Sequence, residues 1–132
     1  GTNDLGWNVS PPEVMSNLAA MYEQTLAMGG VPIPVTVPSI RVEEASGSRE
    51  GQEWVAEHLA RRSQLNKLIQ DYAGSKDMVC VDLFTVTAEP ASGQLAAIYS
   101  NDGIHLTTAG YRLFAEQVAY ILKPLLAQDT QP

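Results

Sequence analysis

Ser100-Asn101-Asp102-Gly103-Ile104-His105-Leu106-Thr107-Thr108-Ala109-Gly110-Tyr111 is the stretch around which the chain is organised. It holds one of only two histidines, with an aspartate three residues before it. Gly103 between them allows a tight turn, and Thr107-Thr108 reads as the start of a helix. In such a turn the Asp102 carboxylate can reach a ring nitrogen of His105, orient the ring and stabilise the imidazolium. That is the base-and-orienter half of a nucleophilic triad. It lacks a nucleophile.

Working outward, the last helix starts at Thr107 or Thr108. Its expected core face is Tyr111, Phe114, Val118, Ile121, Leu122 and Leu125, and Pro124 should disturb its final turn. Before the turn, Phe84 to Ser100 is a connector, with turns expected at Glu89-Pro90 and Ser92-Gly93. Met78 to Leu83 reads as a short buried strand. A helix is expected from Gln52 to Tyr72, with Val55, Leu59, Leu65, Leu68, Ile69 and Tyr72 inward. His58 in that helix reads as a partly exposed surface residue.

Pro38 to Gly51 reads as a polar loop. Val31 to Val37 alternates like a strand, but Pro32 and Pro34 cannot donate to a ladder, so pairing should begin late, near Val35. Ser10-Pro11-Pro12-Glu13 opens a helix ending at Met28, before Gly29-Gly30, with Val14, Leu18, Met21, Tyr22 and Leu26 inward. Gly1-Thr2-Asn3-Asp4 reads as a loop.

Helix and strand therefore alternate, which implies a parallel sheet covered by helices, a three-layer α/β/α arrangement in one domain over residues 1–132. Two clear strands are too few for a stable sheet, so the first strands are expected to be missing from the sequence. The exposed sheet edge this leaves would favour self-association or pairing with another chain.

Composition narrows the function. Hydrophobic residues make up 45% of the chain, enough for a packed core, and the net charge is -7 with no basic run. Nucleic acid and anionic membrane surfaces are thereby disfavoured as partners. No apolar run is long enough to span a bilayer. The single cysteine, Cys80, lies in the apolar run 78–81, reads as a buried inert thiol and allows no intrachain disulfide, so the compartment stays open. No close His/Cys cluster suits zinc, and no metal is expected.

Two motifs then converge. Gly1-Thr2-Asn3-Asp4 resembles the Gly-x-Asn-Asp block of the SGNH hydrolases, or GDSL esterases and lipases. Asp102-Gly103-Ile104-His105-Leu106 resembles their Asp-x-x-His block, with the Leu-Thr-x-x-Gly-Tyr run that often follows. Arg62 with Leu65-Asn66 fits the family's run before its last strand. The resemblance implies a flavodoxin-like SGNH fold and a serine carboxylic-ester hydrolase without cofactor. It also implies a small-molecule or carbohydrate ester as substrate.

Residue by residue, the resemblance makes His105 the base, Asp102 its orienting acid and Asn3 an oxyanion-hole donor. Gly1 and Asp4 become structural residues near the site. The Gly-Asp-Ser block that carries the family's nucleophile has no match, so that serine is expected before Gly1. Ser39, Ser46, Ser48 and Ser100 lack the context of a nucleophile. Trp7, Trp54 and Tyr99 are candidates to line an acyl or sugar site. A catalytically inactive module that self-associates or pairs with another chain is the alternative. A receiver- or flavodoxin-like domain ranks behind both, because the early acidic or phosphate-binding loop is absent.

Overall fold

The computed structural model describes residues 1–42 and 48–128. Five α-helices are present among them: α1 (Thr2–Gly6), α2 (Pro11–Ala27), α3 (Arg49–Ser75), α4 (Leu83–Thr87) and α5 (Thr108–Gln128). A short 3₁₀ turn, Ala97–Tyr99, precedes the Asp–His stretch.

Local chemistry explains the helix starts. Ser10 caps α2 by accepting from the Glu13 N–H at 3.4 Å, with Pro11 and Pro12 filling the first turn. Ser48 caps α3 by accepting from the Gly51 N–H at 3.0 Å. Thr107 caps α5, its Oγ1 accepting from the Gly110 N–H at 3.3 Å. Gly29, at φ +78°, ends α2 in the left-handed conformation that glycine adopts without strain. α3 is longer at both ends than its apolar periodicity predicts, and α5 continues through Pro124.

One expectation is corrected here, and one is met only in part. Residues 1–4 are not a loop, because Thr2, Asn3 and Asp4 form the first turn of α1. The parallel sheet is reduced, among the described residues, to one isolated parallel bridge between Val35 and Val81. The Thr36 N–H donates to the Val81 carbonyl at 3.0 Å, and the Val81 N–H to the Pro34 carbonyl at 2.9 Å. Pro32, Pro34 and Pro38 remove three donors from the first segment, so no longer ladder can build on it. The second segment is cut short because Asp82 caps α4, its Oδ1 accepting from the Thr85 N–H at 3.1 Å. Met78 to Leu83 is thus extended only as far as Asp82.

The core lies where α2 crosses α3, closed below by α1. Leu5, Val14, Met15, Val37, Leu65 and Ile69 form it, with Leu65 and Ile69 fully buried. Burying a side chain of this size favours folding by about 1.5–3 kcal/mol. The expected inward face of α2 is partly wrong: Met21 is 54% exposed and Leu26 41% exposed, while Met15 is buried. α5 packs on the 3₁₀ turn and on α4 rather than entering the core. Its Phe114, Val118, Ile121, Leu122 and Leu125 are half-buried and Tyr111 is exposed. Cys80 is half-buried at the core edge, and burial pushes its thiol up, away from the reactive thiolate.

Residues 36–41 form a spine that positions the site. α3 grips it through two side chains. Asn66 Oδ1 accepts from the Val37 N–H at 2.7 Å while its Nδ2 donates to the Val37 carbonyl at 2.9 Å, and Arg62 Nε donates to the Pro38 carbonyl at 3.2 Å. Further along, the Ile40 carbonyl accepts from the Leu95 N–H at 3.0 Å, and the Arg41 N–H donates to the Gly103 carbonyl at 2.9 Å. Arg41 also donates through Nη1 to the Leu95 carbonyl and through Nη2 to the Ser100 carbonyl. The Asp–His turn is therefore tied by backbone to a segment that α3 holds.

Candidate active site

The turn is built by Asp102. Its Oδ1 accepts from the Ile104 N–H at 2.9 Å, the His105 N–H at 2.8 Å and Ser100 Oγ at 3.3 Å. Its Oδ2 lies 2.7 Å from His105 Nδ1. One carboxylate thus folds the loop and holds the imidazole. The His105 hydrogen bond, followed by the backbone donors, keeps the Asp102 carboxyl well below the usual carboxylate range. Asp102 accepts at Nδ1, so Nδ1 carries the proton in neutral His105 and Nε2 keeps a lone pair. The His105 side chain is 80% exposed. An antiparallel bridge from Ser100 to Leu106 closes the base of the turn, and the Thr107 N–H donates to the Tyr99 carbonyl at 2.8 Å.

Beside this turn lies a cleft of about 330 Å³. Ile104, next to His105, forms one part of its wall, and Thr2 and Asn3 of α1 form another. Asn3 is exposed at the cleft wall. Trp7 and Trp54 add aromatic walls, whereas Tyr99 lies away from the cleft, against α5. Gly1 packs so closely on Val37 that a side chain there would overlap it. Asp4 faces back along α1, its carboxylate lying 2.7 Å from the Gly1 nitrogen.

Three of the serines weighed from the sequence are engaged in other contacts. Ser100 is fully buried and donates to Asp102, Ser39 is buried and donates to the Gly93 carbonyl, and Ser48 serves as a helix cap. Ser46 lies outside the described residues. Among the described residues no group of three or more His, Cys, Asp or Glu could hold a metal ion. Among the described residues no helix is long and apolar enough to cross a membrane.

His58 corrects the sequence reading, because it is buried rather than on the surface. Its ring stacks on Trp54 at 3.8 Å between centroids, and its Nδ1 lies 3.2 Å from the Trp54 carbonyl. A carbonyl only accepts, so Nδ1 holds the proton. Burial moves the imidazole below the ordinary histidine range, opposed in part by that hydrogen bond, and Arg62 and Arg61 add to the lowering. His58 is thus a neutral wall of the same cleft. Arg62, one helical turn further on, also lines it, 2% exposed, and burial pushes its pKa down to about 10. The i, i+4 spacing of Trp54, His58 and Arg62 was the sequence signal that could have placed all three on one face.

The fold has solved counterparts. A GDSL-like lipase from Bacteroides thetaiotaomicron VPI-5482 superposes with a TM-score of 0.73 at 20% identity, over 95% of this chain and 60% of its own. A candidate acylhydrolase from Bacteroides fragilis NCTC 9343 gives a TM-score of 0.70 at 21% identity, over 96% of this chain and 59% of its own. The chain thus spans about three fifths of the length of these structures, and at such identities the likeness is one of fold. No curated protein matches the chain significantly in sequence. The family model for GDSL-like lipases and acylhydrolases matches residues 1–113, most of the chain, and the chain belongs to that family.

Proposed function

We propose that the chain carries the base, the orienting acid and one oxyanion donor of a serine carboxylic-ester hydrolase whose nucleophile is a serine outside residues 1–132. The observation that carries this reading is the 2.7 Å contact of Asp102 with His105, formed beside a cleft that Asn3 helps to line. The extended segments 31–37 and 78–82 then belong to a parallel sheet that further strands complete.

In this reading the serine hydroxyl attacks the ester carbonyl while His105 Nε2 takes its proton. Asp102 stabilises the imidazolium that forms. Asn3 donates to the developing oxyanion, a contact typically worth about 3 kcal/mol of barrier. His105 next protonates the departing alcohol, and a water then cleaves the acyl-enzyme by the same proton route in reverse. A placed base of this kind contributes roughly 100- to 10,000-fold.

The test is p-nitrophenyl acetate hydrolysis by the 132-residue chain and by the protein restored with its preceding sequence, each beside His105→Ala. The restored protein should turn over, and His105→Ala should abolish that turnover. Inactivity of a restored and folded protein sinks the reading.

The second reading, an inactive module that associates with another chain, is favoured by one observation. Val31, 75% exposed, and Val79, 42% exposed, line an apolar cleft that is continuous with Met78 and Leu125. Sedimentation of the folded chain as a monomer that binds no hydrophobic dye would remove it.

A further inference from the structure

Among the described residues, Arg62 is a buried cation with no anion. Its Nε donates to the Pro38 carbonyl at 3.2 Å, while Nη1 is sealed from solvent and has no hydrogen-bond partner. Among the described residues no carboxylate pairs with it; the ion pairs there are Arg49–Glu53, Lys67–Asp71, Lys76–Glu23 and those at Asp4 and Asp102. Arg61, another cation, adds to the unfavourable charge around it. Burying an unpaired charge is costly, and so is leaving a buried donor unsatisfied. The hydrogen bond to Pro38 explains one nitrogen of the guanidinium and leaves the rest of its charge uncompensated.

This cation lines a cleft whose other walls are chiefly apolar. Trp7, Trp54, Ile40, Val42 and Ile104 supply them, and the neutral His58 competes for no anion. Such a cavity suits a ligand with an apolar body and one anionic end. A planar carboxylate matches the planar fork of a guanidinium. We infer that the cleft binds an apolar carboxylate through Arg62, deepening the esterase reading on which it rests. Two sources share that chemistry: a second carboxylate on the ester substrate, and the acid released by hydrolysis.

The tryptophan content makes a direct test available. Trp7 and Trp54 are the chain's only two tryptophans, and both line the cleft. Nη1 is covered in the empty cleft, so a ligand that reaches it must move a wall side chain. Tryptophan fluorescence should therefore report binding without any turnover, which separates failure of this inference from failure of the esterase reading.

The folded chain is titrated with hexanoate and with the neutral hexanamide. Hexanoate should bind at least about tenfold more tightly, and Arg62→Gln should erase that difference. If Arg62→Gln does not fold, the Arg62 Nε–H resonance of the native protein decides: it should shift with hexanoate and stay in place with hexanamide. Monomethyl adipate separates the sources. In the restored protein, a lower KM for monomethyl adipate than for dimethyl adipate assigns the anion to the substrate, and equal KM values with competitive inhibition by hexanoate assign it to the released acid. Equal binding of hexanoate and hexanamide, or no saturable change at millimolar hexanoate, overturns the inference. So does loss of the discrimination in the longer protein, since a protein carboxylate would then hold Arg62.

Discussion

Gly103 and Arg41 meet backbone to backbone. The Arg41 N–H donates to the Gly103 carbonyl at 2.9 Å, and a Cβ on Gly103 would overlap the Arg41 carbonyl oxygen. Gly103 also sits at φ +79°, where an L side chain is strained. The residue after Asp102 is therefore a glycine for two separate reasons, and the turn takes its place in the molecule from the spine.

Gly103→Ala should displace the turn. The obstructing atom is backbone and cannot swing aside, so the clash adds to the strain of positive φ. A loss of about 1–3 kcal/mol is expected from the backbone conformation alone. Urea denaturation of the folded chain measures it, and an unchanged midpoint would contradict this geometry.

Asp102 sets an acid limit. Its folded-state pKa lies below that of an unfolded aspartate, so its stabilising contribution is fully present above the unfolded value of about 3.9. The contribution is lost as pH falls through the folded value, in strong acid. Carboxyl-carbon NMR through a pH titration should show Asp102 still ionised at about pH 3.9, where an unfolded aspartate is half protonated. Protonation of Asp102 at that pH would contradict the four contacts described for it.

Asn66→Ala should destabilise far more than its size suggests. It removes two hydrogen bonds and strands the buried N–H and C=O of Val37. Each stranded group costs about 1–3 kcal/mol. Thermal unfolding of Asn66→Ala should show a loss of several kcal/mol, together with loosening of residues 36–41 in hydrogen exchange.

Leu65→Ala and Leu126→Ala test where the core lies. Leu65 is fully buried between α2 and α3, and its truncation should cost about 2–5 kcal/mol. Leu126 of α5 is 63% exposed, and its truncation should stay within about 0.5 kcal/mol. Chemical denaturation of the two variants checks the ranking.

The sequence by itself determined whatever depends on neighbours three or four residues apart. The cap of Ser10 on α2, the start of α5 at Thr108 and the reach from Asp102 to His105 are all of this kind. Such contacts form within one turn of chain, so spacing and residue type are enough to foresee them. The family was legible for a related reason, since its motifs are short and lie near both ends of the chain.

The tertiary structure decided what depends on distant partners. Val35 pairs with Val81 through one bridge because prolines remove donors on one side and a helix cap ends the other. Met21 and Tyr111 follow a helical stripe yet face solvent, because among the described residues no element covers them. His58 is buried although Glu57 beside it is exposed, and among the described residues Arg62 is buried without an anion. Periodicity names a helix face, but only the packing of other elements against that face decides whether it is dry. Burial then decides which charges and ring nitrogens are left for a ligand.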